Sequence, residues 1–259
     1  MKFDAKTRAG LSLSDWTGEY ANARGPAGAF ARAFNGTTQY GTQSSSAIQA
    51  YPFSVAIRFR VSSLASVYPW GWGKTTDGGS YHVLNVNADG TLSYLANGNT
   101  ATTTNVATAG PWQHALVIAT SATDRRVVLN GDWANSGTNT TSSTPAGLNT
   151  ATIAALIRTG AAEALFAGDL SEYTVWNVAL SQAEAQSLAM PTEINGVVGY
   201  RPAFFVRTLA VRSWVPLFGL TSPEPDQVRG LNVTLVAAPS ASTTRPSIVY
   251  PPMTWDSGS

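Results

Sequence analysis

Between Ser54 and Val61 the chain alternates strictly: Val55, Ile57, Phe59 and Val61 are apolar, and Ser54, Ala56, Arg58 and Arg60 stand between them. A period of two sends successive side chains to opposite faces of an extended backbone, so this segment predicts a strand with one buried face. Runs of the same kind recur along the chain. Tyr81–Val86 and Thr91–Leu95 flank Asn87-Ala88-Asp89-Gly90, a hairpin turn in which Gly90 can take positive φ. Trp112–Thr120 and Arg125–Leu129 form a second pair, and Asn130-Gly131 is a strong two-residue turn signal ahead of Trp133. Further strands are expected at Ala151–Arg158, Leu165–Trp176, Val197–Val206, Leu209–Leu220 and Leu231–Ala237, with Gly137–Thr144 an exposed loop. Many short strands broken by turns predict an all-β fold, a jelly-roll β-sandwich.

One helix interrupts them. Ser181-Gln182-Ala183-Glu184 is a capping box, and Pro191 ends the helical stretch. Charged residues are only 12% of the chain, about half the usual share, and the formal net charge is +1. With 44% hydrophobic residues that balance excludes disorder, and without a basic cluster it argues against nucleic-acid binding. The six Glu and three Lys are too few for a coiled coil. No cysteine is present, so a disulfide framework, thiolate metal site and Cys nucleophile are excluded together. No apolar run is long enough to span a membrane, and Met1–Lys6 lacks the apolar stretch of a secretory signal; synthesis in a host cytoplasm is expected.

Four ordered segments carry a family resemblance. Phe34-Asn35-Gly36 with Tyr40, Phe53–Ile57, Pro111–Ala115 with Leu129-Asn130-Gly131, and Phe166–Glu172 through Trp176, Leu180, Ser181 and Glu184 together resemble the laminin-G-like, concanavalin A-like jelly rolls. The resemblance covers about residues 30–190. Trp214–Leu217, Asp226 and Gly230–Thr234 look like the strand that normally opens such a domain, which implies that the C-terminal part rejoins the sandwich as a permuted edge. We therefore expect one sandwich over 1–237 and an extended Pro-rich arm over 238–259. The Trp214–Thr234 segment and Arg245–Pro251 also resemble structural proteins of tailed bacteriophages and prophages.

Candidate residues follow from chemistry. Tyr68, Trp70 and Trp72 lie on one extended segment, and two Trp at i and i+2 would project together as a flat platform for a sugar ring or a protein partner. The resemblance includes glucanases, whose hydrolysis needs two carboxylates on one face. Asp169 and Glu172, three apart, would point to opposite faces of a regular strand, and the resemblance implies a packing role for Glu172. Calcium occupies loop rims in many such domains, and Asp77, Asp89 and Asp132 are the loop acids available, each also a normal turn former. His82 and His114 read as packed residues of strands. In the arm, Ile248, Tyr250 and Trp255 are spaced apolar anchors for assembly.

These features favour a non-catalytic virion structural protein, such as a capsid decoration or other virion-surface protein. Its partners would be the major capsid or other virion proteins, or further copies in a homo-oligomer. The alternative is a lectin-like carbohydrate-binding module recognising a cell-surface glycan; a glycoside hydrolase ranks third. No cofactor is required in any of these except calcium, which the family resemblance allows.

Overall fold

The computed structural model of the protein describes residues 31–248, apart from 46, 49, 195–196, 219–221 and 245. In chain order the first strands are β1 (Arg32–Asn35), β2 (Tyr40–Gln43), β3 (Phe53–Val61), β4 (Val67–Lys74), β5 (Asp77–Val86), β6 (Thr91–Ala96) and β7 (Asn99–Val106). Next come β8 (Gln113–Ser121), β9 (Asp124–Leu129), β10 (Gly137–Asn139), β11 (Thr150–Ile153), β12 (Leu156–Arg158), β13 (Ala161–Glu163) and β14 (Ala167–Trp176). Helix α1 (Gln182–Ala189) precedes β15 (Thr192–Ile194), β16 (Val197–Gly199), β17 (Val211–Val215), β18 (Thr234–Val236) and β19 (Ser240–Ala241).

Two antiparallel sheets face each other. One runs β10-β9-β8-β3-β14-β1-β19, with β17 also on β14; the other runs β18-β2-β11-β4-β5-β6-β7. The alternation of β3 survives as drawn from the sequence: Val55, Ile57, Phe59 and Val61 all enter the inter-sheet core. They meet Trp70, Trp72, Leu84, Val86, Leu92 and Tyr94 from the opposite sheet. The outer face of the eight-stranded sheet is covered rather than wet. Ala56, Leu116, Ile118, Val128 and Trp176 pack there under Leu180, Ala185 and Leu188 of the α1 region and Ala203, Val206 and Trp214.

Helix α1 begins as its capping box requires. The Ser181 hydroxyl accepts from the Glu184 amide (3.4 Å), and the Glu184 carboxylate accepts from the Ser181 amide (2.8 Å). Ser181→Ala should cost about 1 kcal/mol in chemical denaturation, the usual worth of such a cap. A loss below a few tenths would mean that packing of Ala185 and Leu188 alone holds the helix.

Several boundaries differ from the sequence reading, each for a local reason. Asn130 and Gly131 both have positive φ (52° and 71°), so the turn forms, but the chain runs on to Gly137 before pairing again as β10. The 137–144 segment is thus partly an edge strand, not wholly a loop. The Ala151–Arg158 strand breaks at Ala154, whose φ of 66° turns β11 into the separate β12–β13 hairpin. The expected Val197–Val206 strand stops at Gly199, ahead of a 3-10 turn at Ala203–Phe205, and Leu209–Leu220 is trimmed to Val211–Val215 by a second such turn at Thr208–Ala210 and by positive φ at Leu217.

The largest difference is at the C-terminus. After β18 joins the edge of β2, Ala237 and Ala238 both take left-handed conformations (φ 56° and 45°), and the chain crosses to the other sheet. There β19 pairs with β1, Ser240 opposite Ala33 and Ala241 opposite Arg32. The Ser242 amide donates to the Ala31 carbonyl (2.9 Å), the Tyr200 amide donates to Ser247, and buried Ile248 bridges Tyr200. The arm expected to leave the sandwich at residue 238 therefore packs on its own chain as far as Ile248. Its anchor is Arg32, which donates to Glu224 (2.5 Å) and to the Pro239 carbonyl (2.8 Å) where all three are shielded. A guanidinium desolvated at a sheet edge needs such partners, because an unpaired one costs several kcal/mol. Tyr250 and Trp255 lie outside the described residues.

Candidate functional site

The expected aromatic platform does not exist at the surface. Trp70 and Trp72 are both 0% exposed, their rings 5.3 Å apart in the core, and the Trp72 indole N–H donates to the Tyr173 hydroxyl of the facing sheet (2.9 Å). The cause is a β-bulge. Val67 opposes Val86 and Trp70 opposes Leu84, so β4 fits one more residue than β5 between the two pairs. That extra residue, at Tyr68-Pro69, shifts the parity. Val67, Trp70 and Trp72 all turn inward, while half-buried Tyr68 joins the cluster on the outer face with Tyr81, Val83, Leu95 and Leu156. Of the three aromatic residues, the structure keeps only Tyr68 at an accessible site.

Among the described residues α1 and the segment that follows it pack on the eight-stranded sheet, not on this outer face. Pairing aligns Asn85 with Ser93 and Ser93 with Thr102, one polar row across three strands. The side chains form a continuous ladder. The Asn85 amide donates to Asn87 (2.6 Å) and lies against the Ser66 hydroxyl (3.2 Å). The Asn87 amide donates to the Thr91 and Ser93 hydroxyls (both 2.8 Å), and Ser93 shares a hydrogen bond with Thr102 (2.8 Å). Asp89 closes the row by accepting from the Thr91 hydroxyl (2.7 Å) and amide (2.9 Å). Those two bonds hold the Asp89 carboxyl below the ordinary range.

Beside the polar row lies an aromatic wall. Gly71 and Gly73 are bare on this face, and a Cβ on Gly73 would collide with the Ile157 carbonyl; their absence of side chains lets the β12–β13 hairpin lie over β4. The hairpin brings Arg158 over the Tyr81 ring (4.8 Å), held by both oxygens of Glu163 (3.0 Å each) and by the Gly78 carbonyl (3.1 Å). Burial pushes the Tyr68 phenol up, opposed by Arg158 nearby. Arg158 caps the buried Tyr81 ring, so the resulting surface combines the half-buried Tyr68 ring with a row of uncharged hydroxyls and amides, which suits a ligand that is both flat and rich in hydroxyls.

The other candidates lie elsewhere. A second bulge, between Ser171 and Thr174, overturns the parity argument for Asp169 and Glu172, since Leu170 and Tyr173 both point to the core. Yet the two carboxylates are occupied separately. Asp169 binds Arg60 (2.7 Å), whereas Glu172, fully buried at φ 57°, accepts from the Ala203 amide (3.0 Å). Desolvation raises the Glu172 pKa. Asp77 accepts from the Gly79 amide (2.7 Å) and Asp132 from Asn135 (2.8 Å), so these loop acids and Asp89 each serve their own turn. Among the described residues no three His, Asp or Glu converge, and no helix is long and apolar enough to cross a membrane. His82 and His114 are buried, as read from their strands.

Sequence reasoning missed the polar row, although a signal was present. Asn85 and Asn87 before the hairpin turn, and Thr91 and Ser93 after it, alternate with Leu84, Val86, Leu92 and Tyr94. A hairpin turn at that point is enough to bring them onto one face.

Comparison with known proteins gives a consistent picture. Residues 35–186 match the model of the concanavalin A-like lectin/glucanases superfamily. No curated protein matches the chain. Among solved structures, a putative carbohydrate binding protein from Bacteroides ovatus superposes with TM-score 0.54 at 14% identity, covering 84% of this chain and 63% of that one. A heptameric SAP-like pentraxin from Limulus polyphemus gives 0.52 at 18% identity, covering 64% and 83%. The Ruminococcus gnavus IT-sialidase CBM40 bound to α2,3 sialyllactose gives 0.51 at 13%, covering 62% and 100%. At these identities the likeness is one of fold.

Proposed function

The chain belongs to the concanavalin A-like lectin/glucanase superfamily, and from that premise we propose that it is a non-catalytic carbohydrate-binding module. The ligand lies on the outer face of the seven-stranded sheet. One observation carries this reading: the aligned row Asn85, Ser93 and Thr102, exposed at Thr102, beside the half-buried ring of Tyr68. Sugar rings present an apolar face for stacking and a rim of hydroxyls for hydrogen bonding, and the surface offers both complements. The solved structures of similar fold named for carbohydrate binding support the same direction.

Hydrolysis is disfavoured by the carboxylates themselves. Glycosidases need two that flank the scissile bond, about 5–10 Å apart. Here Glu163 is clamped to Arg158, Asp169 to Arg60, and Glu172 is sealed under Ala203. The reading therefore reverses the order drawn from the sequence, placing glycan recognition ahead of capsid assembly. Display of the module on a virion surface joins the two, and mass spectrometry of purified particles tests that setting.

The binding role is tested on a glycan array followed by calorimetry. Tyr68→Ala combined with Thr102→Val removes a stacking ring and a hydroxyl from positions that are not in the inter-sheet core. Binding should weaken about tenfold or more, the ring contact and the hydrogen bond each being worth roughly 0.5–1.5 kcal/mol, while the melting temperature moves little. Undiminished affinity would remove the ligand from this face.

A further inference from the structure

We propose that the outer face selects uncharged sugars and discriminates against sialic acids, uronates and other anionic glycans, an inference that rests on the carbohydrate-binding reading above. The argument is one of donors and acceptors. A carboxylate can only accept hydrogen bonds, whereas a sugar hydroxyl both donates and accepts. An anion therefore needs free N–H or O–H donors or an available cation. The polar row holds almost none.

Both N–H bonds of the Asn87 amide are used on Thr91 and Ser93. The Asn85 amide spends its own on Asn87 and Ser66. The Thr91 hydroxyl hydrogen goes to Asp89, and Ser93 and Thr102 share one between them. Of these seven side chains Asn85 and Ser93 are nearly covered (9% and 5% exposed), and the rest keep their N–H and O–H hydrogens within the row, leaving mainly oxygen lone pairs and one hydroxyl hydrogen to spare. Such a surface accepts from a polyol and repels an acceptor-only group.

Charge points the same way. Arg158, the cation on this face, is neutralised by bidentate contact with Glu163 and further tied to the Gly78 carbonyl. Lys74, at the end of β4, is paired with Asp77 (3.4 Å). At the far end of the row stands the Asp89 carboxylate, kept ionised by its bonds from Thr91. A neutral floor lies between two carboxylates, Glu163 and Asp89. An incoming carboxylate would have to displace Glu163 from Arg158 and still remain near its charge.

Matched probes test this directly. Calorimetry would compare lactose with sialylated lactose, and a methyl-esterified oligogalacturonide with the free acid, after a wider array of neutral oligosaccharides. The expected result is at least tenfold tighter binding of the neutral member wherever either member of a pair binds. Glu163→Gln should narrow that gap several-fold, since it frees Arg158 and removes one carboxylate. Equal or tighter binding of the acids would overturn the selectivity while leaving the glycan-binding reading in place. If no neutral oligosaccharide and no acid binds, both readings fall.

Discussion

Replacing Trp72 by Ala is expected to destabilise the protein by about 3–5 kcal/mol, the usual cost of emptying a large aromatic site in a packed core. The ring touches Phe53 (centroids 5.0 Å) and Trp70, and its N–H ties β4 to Tyr173 on the opposite sheet. Urea titration should show a lower midpoint with little change in slope. The neighbouring indole makes a useful contrast. The Trp70 N–H is buried with no acceptor among the described residues, so Trp70→Phe removes an unsatisfied donor, while Trp72→Phe strands the Tyr173 hydroxyl. Trp70→Phe should therefore be the milder of the two. A surface platform would give the opposite pattern: both residues dispensable for stability and needed for binding.

Acid should unfold the protein well above the range where carboxylates titrate. His82 is packed among Phe53, Tyr51, Trp72 and Tyr94, its Nδ1 2.6 Å from the Tyr94 hydroxyl. Burial, with a smaller contribution from Arg125, lowers its pKa to about 3. Among the described residues His114 has no hydrogen-bond partner on either ring nitrogen, and burial, aided by Arg58, holds its pKa well below the ordinary value. Both groups bind protons more readily when the chain is unfolded, so stability is complete above about pH 6.5 and falls as the pH drops below it. Each slope approaches about 1.4 kcal/mol per pH unit below that value, so the pair removes roughly 3 kcal/mol between pH 6.5 and 5. Glu172 works the other way: its raised pKa lets the folded state take up a proton early, returning part of the loss at still lower pH. Melting temperatures measured from pH 7.5 to 5 should fall steadily, and a flat profile would show that neither histidine is sealed from solvent.

How far the sequence revealed this molecule depends on whether a feature is local. The alternation in β3 and the capping box of α1 are written in neighbouring residues, and both appear in the structure where the residues place them. The bulges at Tyr68-Pro69 and Ser171–Glu172 are not, because an extra residue is defined only against a partner strand. Each one misdirected a functional argument, first about the Trp pair and then about the carboxylates. Strand β7, Asn-Thr-Ala-Thr-Thr-Thr-Asn-Val, has too little apolar content to announce itself and gains its place by pairing with β6. The candidate site was hidden for the same reason. Asn85, Ser93 and Thr102 are plain polar residues until register sets them side by side, with Asn85 and Ser93 nearly covered and Thr102 exposed.

The crossing of the C-terminal segment from one sheet to the other carries a consequence in time. Arg32 stands at the start of the sandwich, yet its partners Glu224 and Pro239 lie 192 and 207 residues further along. At ribosomal rates of about 5–20 residues per second, those partners emerge roughly 10–40 seconds after Arg32 does. Throughout that interval β1 and β2 have no neighbour on their outer sides, because β19 and β18 have not yet been made. Exposed strand edges are the surfaces on which nascent chains pair with one another. Strands β18 and β19 thus close the two edges on which the growing chain is open to its own copies, and the speed with which they dock sets how much of it survives translation intact.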